Sequence, residues 1–177
     1  VLVEVSGSTY AIPLSAVREI LKASESILRT VGNRNVILLR SEVDSAGGDA
    51  LVAGDIGPSG AILAPTGTLD YDEAVDIFAE QAAALIAGGV DLIWIETMSD
   101  LLEIKAAIEG VRRVAPGIAL ITTMTFDTRG HTMMGVSPEH AVASLAAWGA
   151  DAIGGNCGNG PDELITVIER MRAADPD

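Results

Sequence analysis

The 177-residue chain carries 11 basic and 25 acidic residues, a net charge of −14, which opposes binding to nucleic acid or to an anionic membrane surface. Apolar residues make up 49% of it and aromatics 3%, so its core is built mainly from Ala, Val, Ile and Leu. One cysteine excludes an internal disulfide, and neither an apolar run of membrane-spanning length nor the basic start of a signal peptide is seen. A cytoplasmic protein is expected, one ordinary domain or part of a larger one. Beginning at Val1 and stopping at Asp177 just after a helical stretch, the chain reads as a fragment.

Residues 1–45 balance five basic against five acidic groups, so the remainder carries the whole charge of −14. Val1–Val5 and Tyr10–Ile12 flank Ser6-Gly7-Ser8, which suggests a hairpin. Ser15 then caps a helix over 16–22, and 36–39 form a further strand. A plain strand, helix, strand order is the alternative, and local sequence leaves both open. Ser45-Ala46-Gly47-Gly48-Asp49 reads as a short linker. The expected division is therefore 1–45 and 46–177.

The second stretch repeats one unit. Residues 51–53 form a short apolar strand, Asp70 or Asp72 caps a helix over 73–87, and Gly88-Gly89 stops it. The continuous apolar run 90–95 marks a strand buried on both faces. Asp100 opens a helix through Arg113, 118–126 form a strand, and 138–148 a helix closed by Gly149. Residues 152–153 are the fourth strand and 161–174 the last helix. Strand–helix units in series imply an α/β fold with a parallel sheet and right-handed crossovers. A (β/α)8 barrel takes about 250 residues, and four units are half of one.

In such folds the loops after the strand C-termini carry the chemistry. There the sequence places Asp55, then Glu96-Thr97-Met98-Ser99-Asp100, then Thr123, Thr125 and Asp127, and last Asn156-Cys157. Cys157 is a metal ligand, a nucleophile or an inert small hydrophobe. Glu96 follows Asp-Leu-Ile-Trp-Ile, at the mouth of the sheet. It either binds an ammonium group, acts as a base, or caps the following helix. Soft zinc sites use several Cys or His ligands; beside Cys157 the chain offers His131, on the loop after the third strand, and His140, on a helix surface. Ser59, in Gly57-Pro58-Ser59-Gly60, is not in a nucleophile elbow.

Residues 51–177 resemble the homocysteine-binding domain of the homocysteine S-methyltransferases. The resemblance is carried by Val52-Ala53-Gly54-Asp55-Ile56-Gly57-Pro58-Ser59-Gly60 and Asp91-Leu92-Ile93-Trp94-Ile95-Glu96-Thr97. It continues in Thr123-Met124-Thr125-Phe126-Asp127 and Gly154-Gly155-Asn156-Cys157-Gly158. It implies a (β/α)8 barrel, of which this chain covers the third to sixth units. It also implies that Cys157 is one of three thiolates on a zinc that activates the homocysteine sulfur for attack on a methyl donor, and that Glu96 binds the amino group of homocysteine. The family's Gly-Gly-Cys-Cys segment, which supplies the other thiolates, and its opening Asp-Gly-Ala-Met-Gly-Thr type motif are absent from this sequence. This chain alone is thus expected to hold no stable zinc and to lack methyltransferase activity. The open edges of a half barrel favour self-association.

Residues 1–43 resemble the start of the regulatory domain of chemotaxis histidine kinases and the related coupling proteins. The residues are Val1-Leu2-Val3-Glu4-Val5, Tyr10-Ala11-Ile12-Pro13-Leu14, Val17-Arg18-Glu19-Ile20 and Thr30-Val31-Gly32-Asn33-Arg34. That resemblance implies a β-rich module that binds partners without catalysis. A non-catalytic chimeric or interaction protein is the alternative to a methyltransferase fragment.

Overall fold

The computed structural model describes residues 2–5, 8–11, 28–31, 34–37, 40–45, 47 and 50–175, with side chains from residue 43 onward. The chain falls into two units, Val1–Ile37 and Leu38–Asp177. In the first, β1 (Leu2–Val5) and β2 (Ser8–Ala11) pair antiparallel, Val5 opposite Ser8. The two residues between them are the length a tight hairpin takes. β3 (Leu28–Val31) and β4 (Arg34–Ile37) form a second antiparallel pair, Val31 opposite Arg34. A hairpin pair thus stands where a lone strand over 36–39 was expected; Gly32-Asn33, a turn-forming dipeptide, is the signal in the sequence. The helix expected over 16–22 lies outside the described residues.

The second unit opens with a short helix, α1 (Arg40–Ser45). After it β5 (Ala53–Ile56), β6 (Leu92–Met98), β7 (Ala119–Met124) and β8 (Ala152–Gly155) form one four-stranded parallel sheet in chain order. They alternate with α2 (Tyr71–Ala87), α3 (Leu101–Val114), α4 (Pro138–Ala147) and α5 (Pro161–Ala174). Right-handed crossovers between strands taken in unreversed order put every connecting helix on one face. This is the wall of a (β/α) barrel; a doubly wound sheet needs a reversal. The α/β class and the partial barrel of four strand–helix units are as expected.

Polar side chains set the helix starts by accepting orphan backbone N–H groups. Asp70 accepts from Asp72 N (3.1 Å), Asp100 from Leu102 N (2.8 Å), and Ser137 from His140 N (3.3 Å). Two strand starts share another device. Asp91 donates its N–H to Val52 O (2.8 Å) and accepts from Val52 N at its carboxylate (2.7 Å). Asp151 does the same with Leu120, at 2.9 and 2.8 Å.

The helical face of the sheet is the core. Ile93, Ile95 and Met98 of β6, with Leu120 and Met124 of β7, are buried, as are Phe78, Ile104, Ile108, Leu145 and Val167 from the helices. Each such side chain contributes about 1.5–3 kcal/mol over its exposed state. On the opposite face Trp94 is 40% exposed, and Asp55, Ala119 and Ala152 are exposed too. Among the described residues no helix is long and apolar enough to cross a membrane.

α2 and α3 meet at Gly110. A Cβ there would lie 2.8 Å from Ala79 N, 2.9 Å from Val75 O and 3.0 Å from the Phe78 Cβ. Gly110→Ala is expected to cost about 1–3 kcal/mol by overpacking, read as a lower urea midpoint. Gly117→Ala, with nothing within 4 Å, is the control and should leave the midpoint near wild type. A second prediction concerns acid. Arg170 grips the Glu139 carboxylate with Nε and Nη2, at 2.7 and 2.8 Å, and holds its pKa down at about 2, against an ordinary 4.5. A depressed carboxylate lends stability above its unfolded value and loses it as pH falls through the folded one. The melting-temperature advantage of wild type over Glu139→Gln, small because the pair is exposed, should therefore be constant above pH 4.5 and vanish by about pH 2. A pH-independent difference would contradict this.

Candidate functional site

The C-terminal end of β6 departs from regular strand geometry. The apolar run suggested a strand ending at Ile95, but β6 continues to Met98, and its register against β7 shifts between Ile95 and Met98. Such a bulge re-aims side chains. Thr97, at φ 59°, occupies left-handed backbone that a β-branched residue rarely adopts. Its N–H donates to Asn156 Oδ1 (3.2 Å), so the side chain of a residue two strands away holds it there.

Asn156 follows β8 directly, and its amide uses both ends. Nδ2 donates to Glu96 Oε2 (2.8 Å) and to Thr97 Oγ1 (2.6 Å). Thr97 Oγ1 donates in turn to Glu96 Oε2. Next in sequence, Cys157 is exposed and also left-handed, at φ 58°. Its Sγ lies 3.6 Å from Asn156 Nδ2 and 3.8 Å from Thr97 Oγ1. Gly158 completes the turn at φ 83°, where a Cβ would come within 3.2 Å of Phe126 O. Glu96, Thr97, Asn156 and Cys157 therefore form one hydrogen-bonded constellation, three of them half-buried and the thiol open to solvent.

Glu96 Oε2 is occupied by these bonds, while Oε1 faces Gly57, where a Cβ would be 3.6 Å away. Asp55, on the open face at the end of β5, has its carboxyl held above the ordinary 3.8, first by the protein packed around it and then by the charge of Glu96. Two carboxylates thus bias this rim toward a cation. Thr123 is buried and accepts from Trp94 Nε1 (3.2 Å). Thr125 is buried, with no partner for its hydroxyl among the described residues. Asp127 is exposed, its carboxylate accepting from Thr128 Oγ1 (3.1 Å).

The other residues considered from sequence do not join the constellation. His131 Nδ1 is 3.2 Å from Arg129 O, and His140 is exposed in the first turn of α4. Among the described residues no group of three or more His, Cys, Asp or Glu side chains could hold a metal. The atoms nearest the Cys157 thiol in this network are a hydroxyl and an amide nitrogen, whereas a tetrahedral zinc needs further thiolates or imidazoles. The described residues offer one thiolate there and do not by themselves make a zinc site.

Sequence reasoning missed Glu103. It is buried, 6% exposed, and its Oε1 accepts from Ser59 N (2.8 Å) and Ser59 Oγ (2.6 Å). The spacing Asp100-x-x-Glu103 reads as a capping box, which points the glutamate at its own helix and hides its long-range role.

Comparison with known proteins gives the family and the fold. The homocysteine S-methyltransferase family model matches residues 5–177, and so also runs through the stretch that resembles a coupling domain. The methionine synthases of Mycobacterium leprae (strain TN) and Mycobacterium tuberculosis (strain ATCC 25618 / H37Rv) are each 31% identical over 151 residues. These alignments cover 81% of this chain and 12% and 13% of those proteins. The homocysteine methyltransferase MmuM from Escherichia coli superposes with TM-scores of 0.62 in its apo form and 0.58 in its metallated form. In both the identity is 23%, over 76% of this chain and 49% of that one, a likeness of fold. This chain thus spans about half of the solved enzyme and about an eighth of the two synthases. With the family model matched through residues 5–177 and curated relatives 31% identical, the chain belongs to the homocysteine S-methyltransferase family.

Proposed function

We propose that this chain carries the amino-acid-recognition part of a homocysteine S-methyltransferase site. Glu96 receives the ammonium group of homocysteine, and Cys157 is one thiolate ligand of the family's zinc. The observation that carries the reading is the bonded constellation of Glu96, Thr97, Asn156 and Cys157 at the rim of the sheet. Asn156 and Thr97 fix one oxygen of Glu96 and leave the other toward Gly57, where the absence of a side chain gives a ligand room. Asp55 adds a second negative charge at the same place. The sequence holds one cysteine, so one copy of the chain cannot assemble a three-thiolate centre, and methyl transfer is not assigned to it alone. Residues 1–45, which include the antiparallel hairpins, are proposed as a segment separate from 46–177. Among the described residues β5 and β8 each pair along one side, and these edges are proposed to self-associate; a monomer at all concentrations in sedimentation velocity would exclude it.

Calorimetry tests the assignment of Glu96. A charge-assisted hydrogen bond contributes about 1.5–3 kcal/mol, so Glu96→Gln is expected to weaken homocysteine binding about tenfold or more; unchanged affinity would sink the assignment. Incubation of the purified chain with zinc, homocysteine and a methyl donor is expected to yield no methionine, and detectable product would refute its inactivity in isolation.

A further inference from the structure

Among the described residues Glu103 is the one charged side chain that is buried, and the site as read above gives it no role. At the third position of a helix, glutamate commonly reaches back to the N-cap backbone. Here Glu103 turns instead to the loop that follows β5. Its Oε1 takes both the N–H and the hydroxyl of Ser59, at 2.8 and 2.6 Å. Ser59 Oγ accepts in turn from Ala61 N (3.2 Å), so the grip extends along the loop. Two residues before Ser59, Gly57 faces Glu96 Oε1, a Cβ there being 3.6 Å from it. Glu96 stands near the end of β6 and Glu103 in the first turn of α3, so one strand–helix unit bonds the preceding loop at Ser59 and faces it at Gly57.

We propose that Glu103 is a positioning residue: through Ser59 it holds the 57–60 loop as the wall beside Glu96 Oε1, and so sets the width of the pocket for the ligand's ammonium group. This rests on the assignment of Glu96 to that group. A carboxylate oxygen that accepts from an N–H and an O–H at once fixes direction as well as distance, which a loose polar contact does not.

The test compares Glu103→Gln and Glu103→Ala in the full chain, by amide hydrogen exchange over residues 57–60 and by calorimetric titration with homocysteine. Glutamine keeps a carbonyl oxygen that accepts both bonds, so exchange and affinity should stay within about twofold of wild type. Alanine leaves the Ser59 N–H without its acceptor. It is expected to raise exchange over 57–60 and to weaken homocysteine binding, each about tenfold, with α3 still protected. Wild-type exchange and affinity in Glu103→Ala would overturn the proposal. So would equal losses in both variants, which would assign the effect to charge, or a loss of protection throughout α3. If wild type binds no homocysteine, the reading of Glu96 fails, and exchange over 57–60 still decides whether Glu103 holds the loop.

Discussion

The side-chain amide of Asn156 joins strands that are not neighbours: it follows β8 and bonds to Glu96 and Thr97 on β6, with β7 lying between them in the sheet. An amide can do this because it carries an acceptor and a two-proton donor on one rigid plane. The acceptor satisfies the Thr97 N–H that the bulge withdraws from the ladder, and the donor holds the Glu96 carboxylate and the Thr97 hydroxyl. Left-handed backbone at a threonine persists where its surroundings over-determine it. Were Thr97 to relax into regular strand, the alternation of β6 would turn its own side chain toward the helical face and Met98 to the open one, and Thr97 would part from Asn156.

Much of the second unit is legible in the sequence because its signals are local. Asp70, Asp100 and Ser137 cap the helices that follow them, and Gly88 closes α2. The continuous apolar runs mark strands buried in a parallel sheet. The boundaries of β5 and β6 were less readable. Leu51 looks like strand core but is 71% exposed, and β5 begins at Ala53. Glu96-Thr97 look like loop but belong to β6, because a bulge is set by what the partner strands offer and not by composition. Glu96 and Cys157 could be picked out one at a time from their places after strands. That one asparagine binds them together, and that Glu103 serves a distant loop, are tertiary facts without a local signature.

Recognition of the amino acid and activation of its sulfur are separable tasks in the proposed site. On that proposal the carboxylates at the ends of β5 and β6 would serve the first, and they come with the sheet itself. The second needs several soft ligands gathered at one point, and this sequence has a single thiol. Cys157 is nonetheless held in a defined turn, through its left-handed backbone and the glycine after it. The β8–α5 connection fixes that geometry.

The paired aspartates at the far end of the sheet have a consequence for how such a chain can be recombined. Asp91 aligns β6 on Val52, and Asp151 aligns β8 on Leu120, each by a two-bond contact with the adjacent strand. Sliding either strand by one residue would break both bonds of its pair and leave a carboxylate against the sheet. The alignment is thus written into neighbouring pairs of strands and not into the closed barrel as a whole. A block cut so as to keep such a pair takes its own ruler with it: β5–β6 keeps the height of Glu96, and β7–β8 that of Cys157.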